Sequence, residues 1–373
     1  MRVLVVASPL TGHVLPVVPL AQALHEAGHE VVVATAGDAL AAVPPSLATA
    51  DVAPGLRTLP LFLRLAARHP LLARGAAAGT SDVRMVGLMF GTVGLRMADG
   101  VAALADRLGP DLVVVEPLAP AGAEAAARLG VPLVLVEGNL FPADELLAAT
   151  ARTYVPARGT GSLPDPAEVL GTTPPSLVGR RSGRPMRFVP ATPDRPYDPA
   201  LARPGDRPRV LVSRSTVADP RPDRLMTTAA TAAAAATRLD VVLVRPDRRV
   251  ARRKLPPNVR TTDWLPFPTV LPAAAGIVHH GGAGTLLTAL AAGVPQVAVR
   301  GAGDRRVNAE LVAERGAGLA ADLGELTGPV LERLVADPSL SAAAREVAAE
   351  IAAMPCPAEL VPHLVELAGA RHG

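Results

Sequence analysis

The sequence predicts an α/β protein made of two doubly wound halves, each a parallel sheet covered by helices on both faces. A chain of 373 residues is too long for one ordinary hydrophobic core and indicates two domains. Short apolar, β-branched runs alternate with helical segments in two successive series, and a proline-dense stretch separates them. Hydrophobic residues make up 49% of the chain, so each half has enough apolar material to bury.

The first series contains two strand–helix–strand units, in each of which a glycine closes the helix. The predicted elements, in order, are strand 3–7, helix 16–27, strand 30–35, strand 111–115, helix 121–129 and strand 132–136. Between the two units, residues 60–100 lack strand signals and place large apolar side chains in a helical setting. Together these elements predict the first doubly wound half.

The second series follows residues 190–208, which include six prolines. Proline at this density excludes helix and inner strand, so a stiff, extended linker is predicted there. The predicted elements beyond it are strand 209–213, helix 225–238 and strands 241–244, 276–279 and 296–299. The predicted domains are therefore 1–189 and 209–355, and the prolines at 355 and 357 must break the helix that precedes them.

Composition excludes several classes of protein. The net charge of +3 is small for this length, and eight aromatic residues offer few platforms for bases, so a nucleic-acid partner is disfavoured. Residues 1–6 look like the start of a signal peptide but lead on without a cleavage site, so a first strand is predicted instead. The chain contains no run of about 18 uncharged apolar residues, so no membrane-spanning helix is predicted. The lone Cys356 excludes an internal disulfide, and a cytoplasmic protein is expected.

The segment 276–299 is the most informative part of the chain. A short apolar strand runs into His279-His280, three glycines and an alanine- and leucine-rich helix. Glycine lets the backbone approach a ligand closely, and the amides and dipole of a helix start attract anions. His280 can donate to a phosphate oxygen or take up charge near neutral pH. The pattern predicts a diphosphate cradle, here defined as His280, Gly282, Ala283, Gly284 and Thr285.

Two familiar phosphate motifs do not explain this segment. The dinucleotide fingerprint needs Gly-x-Gly-x-x-Gly, and a P-loop needs Gly-Lys-Ser/Thr, whereas the chain's single lysine is Lys254. A plain glycine-rich turn, with Thr285 as the cap of the following helix, remains the structural alternative.

This segment closely resembles the donor-binding signature of GT-B-fold glycosyltransferases that attach deoxysugars to natural products such as macrolides, aromatic polyketides and enediynes. The resemblance covers nearly the whole chain and includes residues 2–13, 262–266 and 350–357. It implies two domains facing a cleft, with the acceptor bound by 1–189 and the nucleotide sugar by 209–355. It also implies that a last helix, at about 358–373, packs back on the first domain.

A catalytic base is predicted at His13. Ligands of doubly wound sheets lie at the carboxyl ends of the strands, and His13 follows the first strand. A histidine suits removal of a proton from an acceptor hydroxyl at neutral pH. Glu116 ends strand 111–115, where members of the resembled family commonly hold the carboxylate that orients this histidine, here Glu rather than Asp. A structural loop histidine and a plain surface acid are the alternatives.

Donor binding is predicted without a metal ion or other cofactor, because no Asp-x-Asp occurs in the chain. The helix start and His280 would stabilise the leaving diphosphate instead. Hydroxyls of Ser215 and Thr216, in the loop after strand 209–213, would add donors. By resemblance Trp264 lies beside the nucleotide base, with a core anchor as the equal alternative. The other implied donor contacts are Gly12, Leu265, Asp304 and Arg305, the last standing where relatives usually have Gln.

The acceptor is expected to be a hydrophobic, polyketide-like small molecule. Its predicted contacts are side chains, apolar except for one Asn, of the helical region and of the loop after strand 132–136, with ordinary core packing as the alternative. They are Phe62, Met85, Met89, Phe90, Asn139 and Phe141. The predicted function is inverting transfer of a deoxysugar from a nucleotide donor, by resemblance dTDP-linked. A non-catalytic helper of a partner transferase and a sugar-nucleotide epimerase are the alternatives, and the sequence leaves O- or C-glycosylation and a homodimer open.

Overall fold

The computed structural model describes residues 1–79, 82–192, 195–215 and 224–370. Within these ranges the strands form two sheets. The N-terminal sheet contains β1 (Arg2–Val6), β2 (Glu30–Thr35), β3 (Ala48–Asp51), β4 (Leu112–Val115), β5 (Leu133–Glu137), β6 (Glu168–Gly171) and β7 (Arg184–Pro185). The C-terminal sheet contains β8 (Arg209–Ser213), β9 (Asp240–Val244), β10 (Val259–Thr262), β11 (Gly276–His279), β12 (Gln296–Val299) and β13 (Gly318–Ala321).

Helices cover both sheets. Those preceding the second sheet are α1 (Thr11–Val14), α2 (Val18–Glu26), α3 (Thr58–Arg68), α4 (Pro70–Ala77), α5 (Arg84–Leu108), α6 (Pro120–Leu129), α7 (Ala143–Arg158) and α8 (Pro175–Val178). The later ones are α9 (Arg224–Ala235), α10 (Arg248–Ala251), α11 (Phe267–Val270), α12 (Ala283–Ala291), α13 (Arg305–Glu314), α14 (Gly328–Ala336), α15 (Pro338–Ala353) and α16 (Pro357–Gly369). Short 3-10 turns lie at Gly37–Ala42, Pro199–Ala202, Leu271–Ala273 and Leu323–Glu325.

Every strand pairing is parallel, and the strand order places one crevice in each sheet. The orders are β3-β2-β1-β4-β5-β6-β7 and β10-β9-β8-β11-β12-β13. The chain therefore reverses direction across the sheet between β1 and β4, and again between β8 and β11. Ligands of such folds bind at these switch points, outside the carboxyl ends of the strands. The predicted architecture of two doubly wound α/β halves is confirmed.

The inner strands form because their side chains are apolar on both faces. In β4, Leu112 and Val114 pack into one hydrophobic cluster, whereas Val113 and Val115 pack into a second cluster on the opposite face. The first cluster includes side chains of α2 and α16, and the second includes side chains of α5, α6 and α7. A parallel strand sandwiched between helices in this way reads as a continuous apolar run.

The last helix lies on the N-terminal half. Pro355 and Pro357 end α15 and start α16, and the backbone N–H of Arg187 donates to the carbonyl of Pro355 (2.7 Å). Leu360 and Leu364 of α16 then join the cluster that also contains the buried side chains of α2. The C-terminal end of the chain therefore contributes to the core of the first sheet.

One helix in the described part of the chain, α5, is long and apolar enough to cross a membrane by length and composition. Half of its most apolar window is buried inside the protein. Gly87 and Gly91 let it approach α7 closely, since a Cβ at Gly87 would clash with the backbone of Ala149. These contacts make α5 a core helix of the N-terminal half.

Several elements differ from the sequence-based predictions. The sequence does not predict five short strands, which lie at or near the sheet edges and lack long apolar runs: β3, β6, β7, β10 and β13. In β3, for example, most side chains are exposed. The predicted helix 16–27 begins at Val18, and residues 11–14 form a separate single turn rather than a loop. The predicted helix 225–238 ends at Ala235.

Candidate active site

His13 and Glu116 meet at the switch point of the N-terminal sheet. His13 lies in α1, which follows β1, and Glu116 directly follows β4. The Nδ1–H of His13 donates to Oε1 of Glu116 at 3.0 Å. Glu116 is 2% exposed and His13 is 24% exposed, so the carboxylate is buried and the imidazole is partly accessible. With Nδ1 engaged, Nε2 is the ring atom left to accept a proton.

The surroundings of His13 favour its charged form. Burial alone would lower the pKa of His13, but the charge of Glu116, the hydrogen bond to it and the charge of Asp304 together outweigh burial. The net effect raises the pKa above 6.5. A carboxylate that stabilises the imidazolium in this way is the arrangement used by a general base.

An apolar cluster lies beside His13. The ring of Phe90 is 4.8 Å from the His13 ring, and the ring of Phe62 is 5.5 Å from Phe90, measured between centroids. Met89 and Phe141 belong to the same cluster. Four of the predicted acceptor contacts are thus brought together at the base.

The other two predicted acceptor contacts have different environments. Met85 is buried in α5, outside the cluster. Asn139 is half-buried, and its side-chain oxygen accepts from the backbone N–H of Phe141 (2.9 Å), which shapes the turn after β5. Asn139 therefore positions Phe141 in addition to any contact of its own.

The cradle follows β11 at the switch point of the C-terminal sheet. Gly282 is the N-cap of α12, and no side chain caps this helix start within the described structure. Thr285 lies inside α12, so the capping role that the alternative interpretation gave it is wrong. Gly281 adopts a φ of +79°, and a Cβ there would lie 2.9 Å from the carbonyl oxygens of Val299 and Arg305. The backbone at this turn thus requires glycine, and the first amides of α12 have no partner within the helix.

His279 and His280 have different roles in this turn. His279 is fully buried, its Nε2–H donates to Gln296 Oε1 (2.7 Å), and its Nδ1 accepts from the backbone N–H of Gly281 (3.1 Å). Burial lowers its pKa to about 4, with the Gln296 bond opposing. His279 therefore remains neutral and holds the turn in shape.

His280 is half-buried, and its Nε2 lies against Gly282, where a Cβ would clash with it. Burial, followed by the charge of Arg305 and the neighbouring His279, holds the pKa of His280 well below 6.5, although the backbone of Ser213 opposes this. The expectation that His280 takes up charge near neutral pH is therefore wrong for the ligand-free protein. A neutral imidazole can still donate one hydrogen bond to a phosphate.

The loop between β12 and α13 brings Asp304 and Arg305 to the cleft. Asp304 is the N-cap residue of α13, and its Oδ2 accepts from Nδ2 of the buried Asn308 (2.8 Å), which also donates to the carbonyl of Gly281 (2.9 Å). Asn308 thereby joins this loop to the cradle. Arg305 Nη2 donates to the hydroxyl of Ser215 (3.3 Å).

The remaining predicted donor contacts occupy varied positions. Thr216 lies outside the described residues. Gly12 is exposed in α1, and a Cβ there would meet no atom within 4 Å. Trp264 is half-buried after β10, outside the hydrophobic clusters of the described chain. Leu265 is 3% exposed within the core, so its side chain does not reach the cleft and only its backbone is available to a donor.

The two halves touch beside the cleft. The backbone N–H of Gly303 donates to the carbonyl of Ala76 at the end of α4 (2.8 Å), and Arg306 Nε donates to the carbonyl of Ala78 (3.1 Å). Gly79 follows, and a Cβ there would clash with the backbone of Gly301. The loop that holds Asp304 is thus supported by the N-terminal half, a contact with no signal in the sequence.

Comparison with known proteins identifies matches along most of the chain. Family models described as Erythromycin biosynthesis protein CIII-like, N-terminal and C-terminal domain, match residues 22–141 and 230–367. The elloramycin glycosyltransferase ElmGT of Streptomyces olivaceus is 35% identical over 98% of this chain and 97% of its own length. The TDP-daunosamine transferase DnrS of Streptomyces peucetius is 33% identical over 100% of this chain and 98% of its own.

Solved structures agree with these matches. The glycosyltransferase SnogD from Streptomyces nogalater superposes with a TM-score of 0.82 at 32% identity, with 99% of both chains covered. The spinosyn rhamnosyltransferase SpnG is 26% identical, with 98% of this chain and 100% of that chain covered. Its TM-score is 0.79 in the complex with thymidine diphosphate and 0.81 in the complex with spinosyn aglycone.

Proposed function

We propose a donor, an acceptor class and a stereochemical course for this chain, which belongs to the Erythromycin biosynthesis protein CIII-like family and is a glycosyltransferase. The donor is a dTDP-linked deoxysugar, the acceptor is a hydrophobic polyketide-like molecule, and transfer inverts the anomeric centre. Relatives named for a TDP-sugar, for thymidine diphosphate and for an aglycone support the two substrate classes. The comparisons give no support to a non-catalytic helper.

The observation on which the proposal rests is the juxtaposition of two switch points across one cleft. His13 and Glu116 lie at the first, with an apolar cluster beside them. The cradle and Asp304 lie at the second, and Asp304 is near enough for its charge to raise the pKa of His13. A base therefore faces a site suited to the sugar diphosphate.

The proposed step begins with an acceptor hydroxyl beside the apolar cluster. Its proton passes to Nε2 of His13 while its oxygen attacks the anomeric carbon from the face opposite the diphosphate. The new carbon–oxygen bond forms as the bond to the diphosphate breaks, which inverts the centre. Glu116 holds the ring by its Nδ1–H and stabilises the imidazolium that results.

The leaving diphosphate departs into the cradle. The uncapped amides at the start of α12 and the neutral imidazole of His280 are placed to donate to its oxygens. We propose that no metal ion takes part, because the sequence contains no Asp-x-Asp pair. The N-terminal half, about 1–189, would bind the acceptor, and residues 209–355 would bind the nucleotide sugar.

Product analysis tests the proposal. The purified protein is incubated with dTDP-deoxysugars and a panel of aromatic polyketide and macrolide aglycones, with and without EDTA, and the anomeric configuration of each product is determined by NMR. We expect a glycoside whose configuration is inverted relative to the donor, formed at the same rate in EDTA. Retention of configuration, or dependence on added Mg²⁺, would contradict the proposed mechanism.

A further inference from the structure

Arg245 has an unusual backbone conformation. It directly follows β9 and has a φ of +54°, and no other non-glycine residue in the described part of the chain has a positive φ. Side chains with a Cβ are disfavoured in this left-handed region, which glycine or asparagine normally occupies. Residues held in such conformations are concentrated at functional sites. The conformation of Arg245 therefore indicates that its side chain has a functional role.

The side chain of Arg245 extends toward the C-terminal switch point. The backbone N–H of Arg245 donates to the carbonyl of Thr262 (2.7 Å), which fixes the turn, and Nη2 lies 3.5 Å from the carbonyl of Arg214 after β8. The charge of Arg245 also reaches His280, where it contributes to the lowered pKa. The guanidinium is therefore between the ends of β8 and β9, close to the cradle.

The positive charge at this place has no negative counterpart in the described structure. Burial lowers the pKa of Arg245, and the positive charges of Arg214 and Arg195 lower it further. Structural arginines of the same sheet are different, since Arg209 pairs with Asp240 at 3.0 Å. Half-buried cations without a carboxylate cost free energy unless an anion binds them.

Other features of this place also suit an anion. Nδ1 of His280 is buried without a hydrogen bond of good geometry. Arg305, whose charge also acts on His280, donates to the neutral hydroxyl of Ser215. Two guanidinium groups thus lie near enough for their charges to act on one neutral imidazole, which precedes the start of α12.

We infer that Arg245, together with Arg305, binds the diphosphate of the nucleotide donor and offsets its negative charge. The inference rests on the proposed function and adds Arg245, which the sequence does not predict to be part of the diphosphate site. Arginine suits the task because its planar fork makes paired hydrogen bonds to phosphate oxygens.

Calorimetric titration of the full-length protein with thymidine diphosphate and with thymidine tests this role. Arg245→Gln should weaken the affinity for thymidine diphosphate about tenfold to a hundredfold, the range for a lost hydrogen bond to a charged group. The affinity for thymidine should hardly change, because the nucleoside has no phosphate. Arg249→Gln, which removes an equal charge from an exposed residue of α10, should leave both affinities unchanged.

The variant Arg245→Gly distinguishes a role of this residue in ligand binding from a role in the stability of the fold. Glycine adopts a positive φ without strain, so this variant should unfold at the same or a higher temperature than the wild type while losing affinity for thymidine diphosphate. A purely structural arginine would show the reverse, a lower unfolding temperature with affinity retained.

Two results would overturn the inference in distinguishable ways. If the wild type binds thymidine diphosphate more tightly than thymidine, and Arg245→Gln keeps that preference, the diphosphate site stands and Arg245 has no part in it. If the wild type binds both compounds equally, the diphosphate site is itself wrong, and the proposed function fails with it.

Discussion

The side chain of Glu116 is one methylene longer than that of an aspartate, and it reaches Nδ1 of His13 at 3.0 Å. Its other oxygen, Oε2, is buried without a hydrogen-bond partner among the described residues. A carboxylate oxygen left unpaired usually costs about 1–3 kcal/mol or more. This cost is consistent with a group kept for its charge, because the charge is what raises the pKa of His13.

The pH dependence of turnover follows from this pair. His13 accepts a proton only when it is neutral, so kcat/KM should rise with pH through a pKa above 6.5. Glu116→Gln removes the larger of the two charges that raise this pKa and leaves burial, which lowers it. The acid limb should therefore move to lower pH while the maximal rate falls. Rate profiles of both proteins measure this. An acid limb at the same pH in both would show that Glu116 does not set the pKa.

The glycine at position 282 should be as important as His280. In Gly282→Val the new side chain would clash with His280 Nε2 and stand where the diphosphate approaches the α12 amides. We expect both Gly282→Val and His280→Ala to lower the affinity for thymidine diphosphate at least tenfold, which corresponds to about 1.4 kcal/mol of binding free energy. The affinity for thymidine should be retained.

Gly324→Val is the matched control for Gly282→Val, because a Cβ at Gly324 would meet no atom within 4 Å. It should bind both compounds like the wild type. Full affinity for thymidine diphosphate in Gly282→Val would mean that the cradle glycines only turn the chain.

At the scale of elements, the sequence predicts the strands that are buried on both faces of a sheet. The strands β1, β2, β4, β5, β8, β9, β11 and β12 lie within about one residue of their predicted bounds, since their apolar runs are continuous. Strand β3 shows mostly exposed side chains and has no such run. The single turn α1 is too short to show a helical period, so the sequence did not predict the helix that presents His13.

The same limits apply to the site. His13, Glu116 and His280 are predictable because each follows an apolar strand, and parallel strands end at one edge of a sheet. Arg245 follows a strand too, but it begins the polar run Arg-Pro-Asp-Arg-Arg, which is typical of a solvated loop. Neither its positive φ nor the lowered pKa of His280 has a local sequence signal, because both depend on residues distant in the chain.

The contact between α4 and the β12–α13 loop gives a prediction at this scale. Gly79 has a φ of +71°, and a Cβ there would clash with Gly301 in the loop that holds Asp304. We expect Gly79→Ala to displace the end of α4 and to raise KM for the donor several-fold, measured with saturating acceptor.

Gly159→Ala provides the control, since Gly159 has a φ of +68° but no atom near its Cβ position. It should lower stability by about 1 kcal/mol through backbone strain alone and leave KM unchanged. Equal KM values in both variants would show that the α4 contact does not support the donor loop.

At the scale of the whole molecule, the two sheets divide the work and the connections between them hold the cleft. Besides the α4 contact, Leu177 and Phe188 of the first half share a hydrophobic cluster with Leu286 and Leu290 of α12. The helix that starts at the cradle is therefore packed against the half that contains the base. This packing relates the position of the diphosphate to the position of His13.

The central claim is that proton transfer belongs to one half of the molecule and donor binding to the other. The most direct test measures turnover and thymidine diphosphate affinity together in His13→Ala. We predict that turnover with a hydroxyl acceptor falls about 10²–10⁴-fold, the range for a lost general base, while thymidine diphosphate affinity stays at the wild-type value. Wild-type turnover in this variant, or a loss of affinity that accounts for the lost turnover, would contradict the account.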